Sequence, residues 1–256
     1  RGGKEAALAF LKAAAALGRP CNIDFVLGYS RHEGGVGREV DGILACVGDL
    51  EGRGVFASSV SVYQLWDATT VRAARSRHSI LASGEEMLAA KLRLQEEMYL
   101  AGYEPSPGAT FLRRGSQPHR WTIHRCKAFR HLGIGSGAYS FYPNAFAQRR
   151  RNLEGYSSFE GSSAEFDLDT MVCRLSIAEQ EIRRTILGMK TMEYVHAPAS
   201  IAWDSEGIPA MLKRMQTFAD LGLVERKGAS FRLSRRAFML SNEIAASLRH
   251  AAEVGG

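Results

Sequence analysis

The sequence has 256 residues, 45% of them hydrophobic and 23% charged, with a formal net charge of +6. That composition is ordinary for a globular protein and supports one large or two small cores, so disorder is not the default. The positive balance suits nucleic-acid phosphates or, equally, an acidic small molecule held by arginine through paired hydrogen bonds.

From Lys4 to Leu17 the positions Leu8, Leu11 and Ala15, with Phe10 alongside, repeat at three and four on an alanine-rich background, which predicts a helix. The apolar run Ala6 to Leu17 is broken by Lys12 and reads as neither a membrane span nor a signal peptide. A chain that starts at Arg1, just ahead of such a helix, is expected to be the carboxyl-terminal part of a longer protein. Asn22 to Gly28 is a short, mostly apolar run of the kind found in a buried parallel strand. Val40, Ile43, Leu44, Val47 and Leu50 then line a helical face, and Val60 to Leu65 reads as a second strand. Helix, strand, helix, strand with short connections predicts parallel α/β construction. A third helix opens on a capping box, Ser83 to Glu86, and runs through Met87, Leu88, Lys91, Leu92, Gln95 and Met98 to about Gly102.

From Tyr103 to about Glu165 the pattern loosens into short strands and loops. Thr110 to Arg113 and Trp121 to His124 are the strand candidates, and Leu132 to Ser140 is a glycine-rich turn. A new pattern begins at Phe166, and a second capping box, Ser176 to Glu179, starts a helix bearing Ile182, Ile186 and Met189. Ile208, Met211, Leu212, Met215, Phe218 and Leu221 mark another amphipathic helix, stopped at Gly222. A hairpin over Leu223 to Leu233 turns at Lys227-Gly228 and precedes a last helix from about Arg235 to Leu248. Helix, helix, hairpin, helix resembles a winged-helix arrangement.

Asp24 is the most informative single residue, because a carboxylate in a buried strand needs donors from the protein or from a ligand. Alternation puts Asn22, Asp24 and Val26 on one face and Ile23, Phe25 and Leu27 on the other. Gln64 repeats the pattern on the next strand, where it shares a face with Val60 and Val62. In the turn, Gly133, Gly135 and Gly137 permit close backbone approach, but the lysine of a phosphate-binding P-loop is missing. Arg113, Arg114, Arg120, Arg125 and Arg130 precede the turn, and Arg149 to Arg151 follow it, which makes a solvated face or an anion-binding surface. Cys21, Cys46, Cys126 and Cys173 are too far apart for a metal knuckle or cluster loop, and suit small core positions in a reducing cytoplasm. No metal site is expected within this sequence, and no nucleophile elbow or paired histidines point to a hydrolase or zinc enzyme.

In order along nearly the whole chain, these segments resemble the oxygen-independent coproporphyrinogen III oxidase family of radical S-adenosylmethionine (SAM) enzymes. Asn22 to Gly28 matches a strand of the form N-[IV]-D-[LF]-[IV]-x-G, Tyr63-Gln64-Leu65 matches Y-Q-L, and Leu132 to Ser140 matches L-G-[IL]-G-x-x-A-x-S. Arg151-Asn152 with Tyr156 looks like R-N-x-x-x-Y. Leu175-Ser176 through Ile182-Arg183-Arg184 to Ala197-Pro198 and Trp203 is similar to the family's carboxyl-terminal domain. The departures are Tyr29-Ser30 after Gly28, where the family has Leu-Pro, His131 before the turn in place of an acidic residue, and Tyr139 in place of histidine.

The resemblance implies an α/β fold: the last strands and helices of a partial (β/α) barrel in residues 1–115, a connecting segment with the glycine turn in 116–165, and a mostly helical, winged-helix-like domain in 166–256. It implies two cofactors, SAM and a 4Fe-4S cluster whose cysteine ligands are expected upstream of this chain, and catalysis through a 5'-deoxyadenosyl radical. Within it Asp24 binds the SAM ribose, Gln64, Gly133, Gly135 and Ala138 lie near the cofactor, and Arg113, Arg125 and Arg130 hold substrate carboxylates. The substrate is then a tetrapyrrole, the electron donor a flavodoxin or ferredoxin, and the compartment the cytoplasm, with no membrane and no nucleic acid as partner. By this reading the fragment alone is inactive. Two readings within the family are a heme chaperone, with His124 or His131 as an iron ligand, and a methyltransferase; a winged-helix DNA-binding protein is a third, against which Lys213 and Arg214 are thin charge for a recognition helix.

Overall fold

The alanine-rich start forms α1 (Lys4–Ala16), and β1 (Asn22–Leu27) and β2 (Ser59–Gln64) flank α2 (Gly35–Gly52) in the computed structural model. The structure describes residues 4–28, 35–64, 84–127, 130–142, 144–149, 169–197 and 207–254. Ser83 of the first capping box, Arg150 and Arg151, Asn152, Tyr156, Pro198 and Trp203 lie outside them. By packing, the chain divides into two units, residues 1–118 with Phe238–Leu240, and 119–237 with 241–256.

In the first unit β1 and β2 are parallel, Asn22 opposite Ser59 and Leu27 opposite Gln64. After α3 (Gly84–Leu100) the chain turns back in the hairpin of β3 (Tyr103–Ser106) and β4 (Thr110–Arg113), which pairs antiparallel with β2. The sheet order is β1-β2-β4-β3, so the unit is mixed rather than purely parallel, and no closed barrel is present among the described residues. One face packs on helices: Ile23, like Leu11 and Cys46, packs against the buried cluster of Leu8 of α1, Leu50 of α2 and Val55 just after it. Phe111 of β4 is fully buried, edge-on to Tyr99 of α3 at 6.2 Å and to Phe238 at 5.0 Å. In α3 the buried side is Met87, Ala90, Lys91, Leu94, Gln95 and Met98, whereas Leu88, placed on that side by the sequence, is exposed. Buried Gln95 is satisfied in part by the Met239 amide, which donates to its Oε1 at 3.0 Å. Tyr103 donates to Glu51 Oε1 at 3.3 Å, and burial, reinforced by that carboxylate, pushes its phenol up to about 12.

Two expectations fail here. Trp121 to His124 is not a strand but part of α4 (Arg120–Cys126), which follows Pro118 and buries Cys126. Its β-branched and aromatic residues carry β propensity, and tertiary packing overrides it. Nor is β1 buried on both faces: as the edge strand it leaves Asp24 and Val26 exposed.

The second unit contains the antiparallel meander β5 (Tyr139–Tyr142), β6 (Ala145–Arg149) and β7 (Asp169–Arg174). Helix α5 (Ile177–Met189), β8 (Val195–His196), α6 (Gly207–Asp220) and the hairpin β9 (Val224–Lys227) and β10 (Ser230–Leu233) follow, with sheet order β8-β10-β9. A short 3-10 helix, Arg235–Leu240, precedes α7 (Ser241–Val254), so the last helix starts later than its sequence suggests. Ile208, Met211 and Met215 of α6 are buried, as are Ile244 and Leu248 of α7, while Leu221, expected on the apolar side of α6, is exposed. Gly207 meets the Ala252 carbonyl, so a side chain there would push α6 off α7.

The capping box of α5 is formed: Ser176 Oγ accepts from the Glu179 amide at 3.2 Å, and Glu179 Oε2 accepts from the Ser176 amide at 2.7 Å. Ser176→Ala is expected to cost about 1 kcal/mol in urea denaturation, with Ser176→Asp close to the parent protein. The Ser176 bonds hold the Glu179 carboxyl below its ordinary value of 4.5. Its contribution is therefore complete above that pH and is lost as the pH falls through the lowered value.

Candidate functional site

Strand alternation sets a polar patch on the face of the first sheet turned away from the helices. Since Ile23 faces α1 and α2, its neighbours Asn22 and Asp24 point the other way, beside Ser59 and Ser61 of β2. Asn22 is the hub: its Nδ2 donates to Asp24 Oδ1 at 2.5 Å and to Ser61 Oγ at 3.0 Å, and its Oδ1 accepts from Ser59 Oγ at 2.7 Å. Ser61 Oγ lies 3.3 Å from Thr110 Oγ1 of β4, which extends the network across three strands. Asp24 is exposed, and the Asn22 bond to Oδ1 leaves its second oxygen open to a hydroxyl donor. Asp24 is therefore not the buried carboxylate its strand predicts; it stands at the accessible end of a hydrogen-bond network.

Gln64 is not part of that network. It pairs with Leu27, on the helix side, and its Oε1 is buried with no hydrogen-bond partner among the described residues. Tyr63 is the residue of that strand that shares the face of Asp24, and it is exposed. The alternation of Ser59, Ser61 and Tyr63 with Val60 and Val62 was the signal in the sequence for this assignment.

The glycine-rich turn belongs to the second unit, where His131 and Phe141 close its base by exchanging backbone hydrogen bonds of 3.1 and 2.9 Å. Gly133 is buried and donates its amide to Ser140 Oγ at 3.0 Å. A Cβ at Gly133 would lie 2.5 Å from the Tyr139 carbonyl oxygen, so the close approach requires glycine. Gly135 has φ +105 with open space around it, and its carbonyl accepts from the Ala138 amide at 3.2 Å. Gln148 Nε2 donates to the Gly137 carbonyl at 3.3 Å, tying the turn to β6. Leu132, Ile134 and Tyr139 remain exposed along it.

The three arginines expected at substrate are divided between the two units. Arg113, in the first unit, lies over the Phe56 ring at 3.6 Å, Arg130 is exposed, and Arg125 of α4 lies 5.4 Å over Trp121. Arg183 of α5, which the sequence offers only within the carboxyl-terminal motif and not as a site residue, has its guanidinium 4.7 Å from the Phe141 ring centre. His131 packs on the same ring at 4.4 Å. Burial holds the His131 imidazole below its ordinary value, and Arg125 and Arg183 push it the same way against a backbone bond at Tyr139. Lys190, just past α5, is likewise lowered by burial; it donates to Asn242 Oδ1 at 2.6 Å, and both Cys126 and Glu243 favour its charge. Burial pushes the Cys126 thiol up. Among the described residues no three His, Cys, Asp or Glu side chains come together to hold a metal ion, and no helix is long and apolar enough to cross a membrane.

No family model matches the chain, and no curated protein matches it in sequence. A solved structure does match in fold: coproporphyrinogen III oxidase from Escherichia coli, described as a radical SAM enzyme, aligns over 97% of this chain with a TM-score of 0.69 at 17% sequence identity. The chain spans 59% of that protein's length. At such low identity the likeness is one of architecture, and this mixed α/β chain is similar in fold to part of that enzyme.

Proposed function

We propose that this chain is part of a radical SAM oxidoreductase similar to coproporphyrinogen III oxidase, acting on a tetrapyrrole or a related polycarboxylate. The observation that carries the reading is the parallel β1–β2 pair with Asn22, Asp24 and Ser61 bonded together on its helix-free face. Support comes from the order of sequence motifs that share the family's pattern and from the fold likeness over 97% of the chain.

The residues present fit the two cofactors unequally. Asp24 suits the paired hydroxyls of a ribose, because one carboxylate oxygen is fixed by Asn22 and the other is open. Gln64 does not fit the same pocket, since it lies on the opposite face of the sheet. Gly133, Gly135 and Ala138 belong to the second unit, and their role near the cofactor is the one the sequence resemblance implies. The four cysteines, all free and spread through the chain, do not fit a 4Fe-4S cluster, which would need ligands outside this sequence. When bound, SAM would supply a 5'-deoxyadenosyl radical for hydrogen abstraction, with a flavodoxin or ferredoxin as electron source. The chain's own part is to hold the nucleoside through Asp24 and to hold substrate carboxylates through Arg113, Arg125 and Arg130.

Calorimetric titration of the chain with SAM and, separately, with coproporphyrin III tests the reading. Saturable binding of SAM that adenosine competes away is the expected result, and failure of both ligands to bind would refute it.

A further inference from the structure

The second unit gathers cations where few anions answer them. Arg183 of α5 and His131 before the turn meet on the Phe141 ring, and Arg125 of α4, which lies over Trp121, is close enough to act on both electrostatically. Arg183 is half-buried, and its charge is disfavoured first by burial and then by Arg125. Neither Arg125 nor Arg183 forms an ion pair with a carboxylate among the described residues. The nearby charges are spoken for: Glu193 pairs with Lys127 at 2.9 Å, Glu181 with Arg184 at 2.5 Å, and Glu243 acts on Lys190.

Arg125 is exposed and Arg183 half-buried, and a half-buried cation beside a like charge costs free energy unless a counterion joins it. Arg183 lies over the Phe141 ring and Arg125 over Trp121, and a guanidinium on an aromatic face can still donate its N–H groups in pairs to an added anion. We propose that Arg125 and Arg183 form an oxyanion clamp, with His131 beside it, that binds a carboxylate or phosphate group of a small ligand. The proposal rests on the reading of Arg125 as an anion holder but not on the radical SAM assignment. It gives Arg125 a partner that the sequence did not indicate, and it leaves Arg113 and Arg130 outside the clamp.

The clamp is tested by titrating the chain at low ionic strength with sodium citrate and, separately, with inorganic phosphate, in the absence of SAM. Binding of citrate alone assigns a carboxylate site, binding of phosphate alone a phosphate site, and binding of both an unselective clamp. Arg183→Gln and Arg125→Gln should each weaken the bound anion by roughly tenfold to a hundredfold, as expected for one lost charge-assisted pair. Arg214→Gln, on the exposed side of α6, should leave it unchanged. In the unsubstituted protein, saturating anion should raise the His131 titration point followed by NMR, a readout that does not depend on how the variants fold. The proposal is overturned if neither anion binds, if R183Q binds as tightly as the parent, or if R214Q weakens binding as much as R183Q. Failure of SAM to bind would leave this result standing, and failure here would leave the nucleoside reading standing.

Discussion

Gly133→Ala is expected to destabilise the second unit by about 3 kcal/mol, the upper part of the range for forcing atoms into a packed site. The added Cβ would meet the Tyr139 carbonyl oxygen at 2.5 Å, its carbonyl carbon at 2.6 Å and its nitrogen at 2.9 Å. All three are backbone atoms that cannot rotate aside. Relief requires the turn to open, which breaks the Gly133 bond to buried Ser140. Gly135→Ala should cost less, about 1 to 2 kcal/mol, because only its φ of +105 opposes a side chain. Gly48→Ala, in the middle of α2 with nothing within 4 Å of the new methyl, should instead stabilise by roughly 0.5 to 1 kcal/mol. Thermal denaturation of the three variants checks the order, and a Gly133→Ala protein as stable as the parent would contradict the geometry of the turn.

Asp24→Ala is expected to weaken adenosine and SAM binding about a hundredfold, the equivalent of losing a pair of hydrogen bonds to a charged group. The same change should leave stability within about 0.5 kcal/mol, because Asp24 is exposed and its bond within the described structure is to Asn22. Affinity and folding are therefore separable at this residue. A nucleoside without ribose hydroxyls, 2',3'-dideoxyadenosine, should bind the parent and the variant equally. Equal loss for both nucleosides would mean that Asp24 acts on the shape of the site and not on the sugar.

Elements fixed by local pattern were legible in the sequence. The second capping box, the apolar face of α2, that of α6 apart from Leu221, and the Lys227-Gly228 hairpin turn all rest on neighbours a few positions apart, and they stand where the pattern puts them. Elements that depend on partners distant in sequence were not. Four residues, Trp121 to His124, have strand propensity, yet they are helical in α4, where Cys126 is packed into the unit. The burial of Asp24 was overestimated because an apolar run does not say whether its strand has neighbours on both edges. Val26 in that run is 51% exposed, and the face it shares with Asp24 carries hydrogen bonds instead of apolar contacts. Arg183 was legible as part of a motif but not as a site residue for the same reason: its place over Phe141 joins positions 42 residues apart, a contact that no local spacing encodes.

The direct measurement of the central claim is an amide NMR map of the chain titrated with SAM. Shifts that concentrate at Asn22 to Leu27 and Ser59 to Tyr63 are the expected result. Shifts confined to other elements, or none at saturating SAM, would contradict a nucleoside site on the helix-free face of β1 and β2.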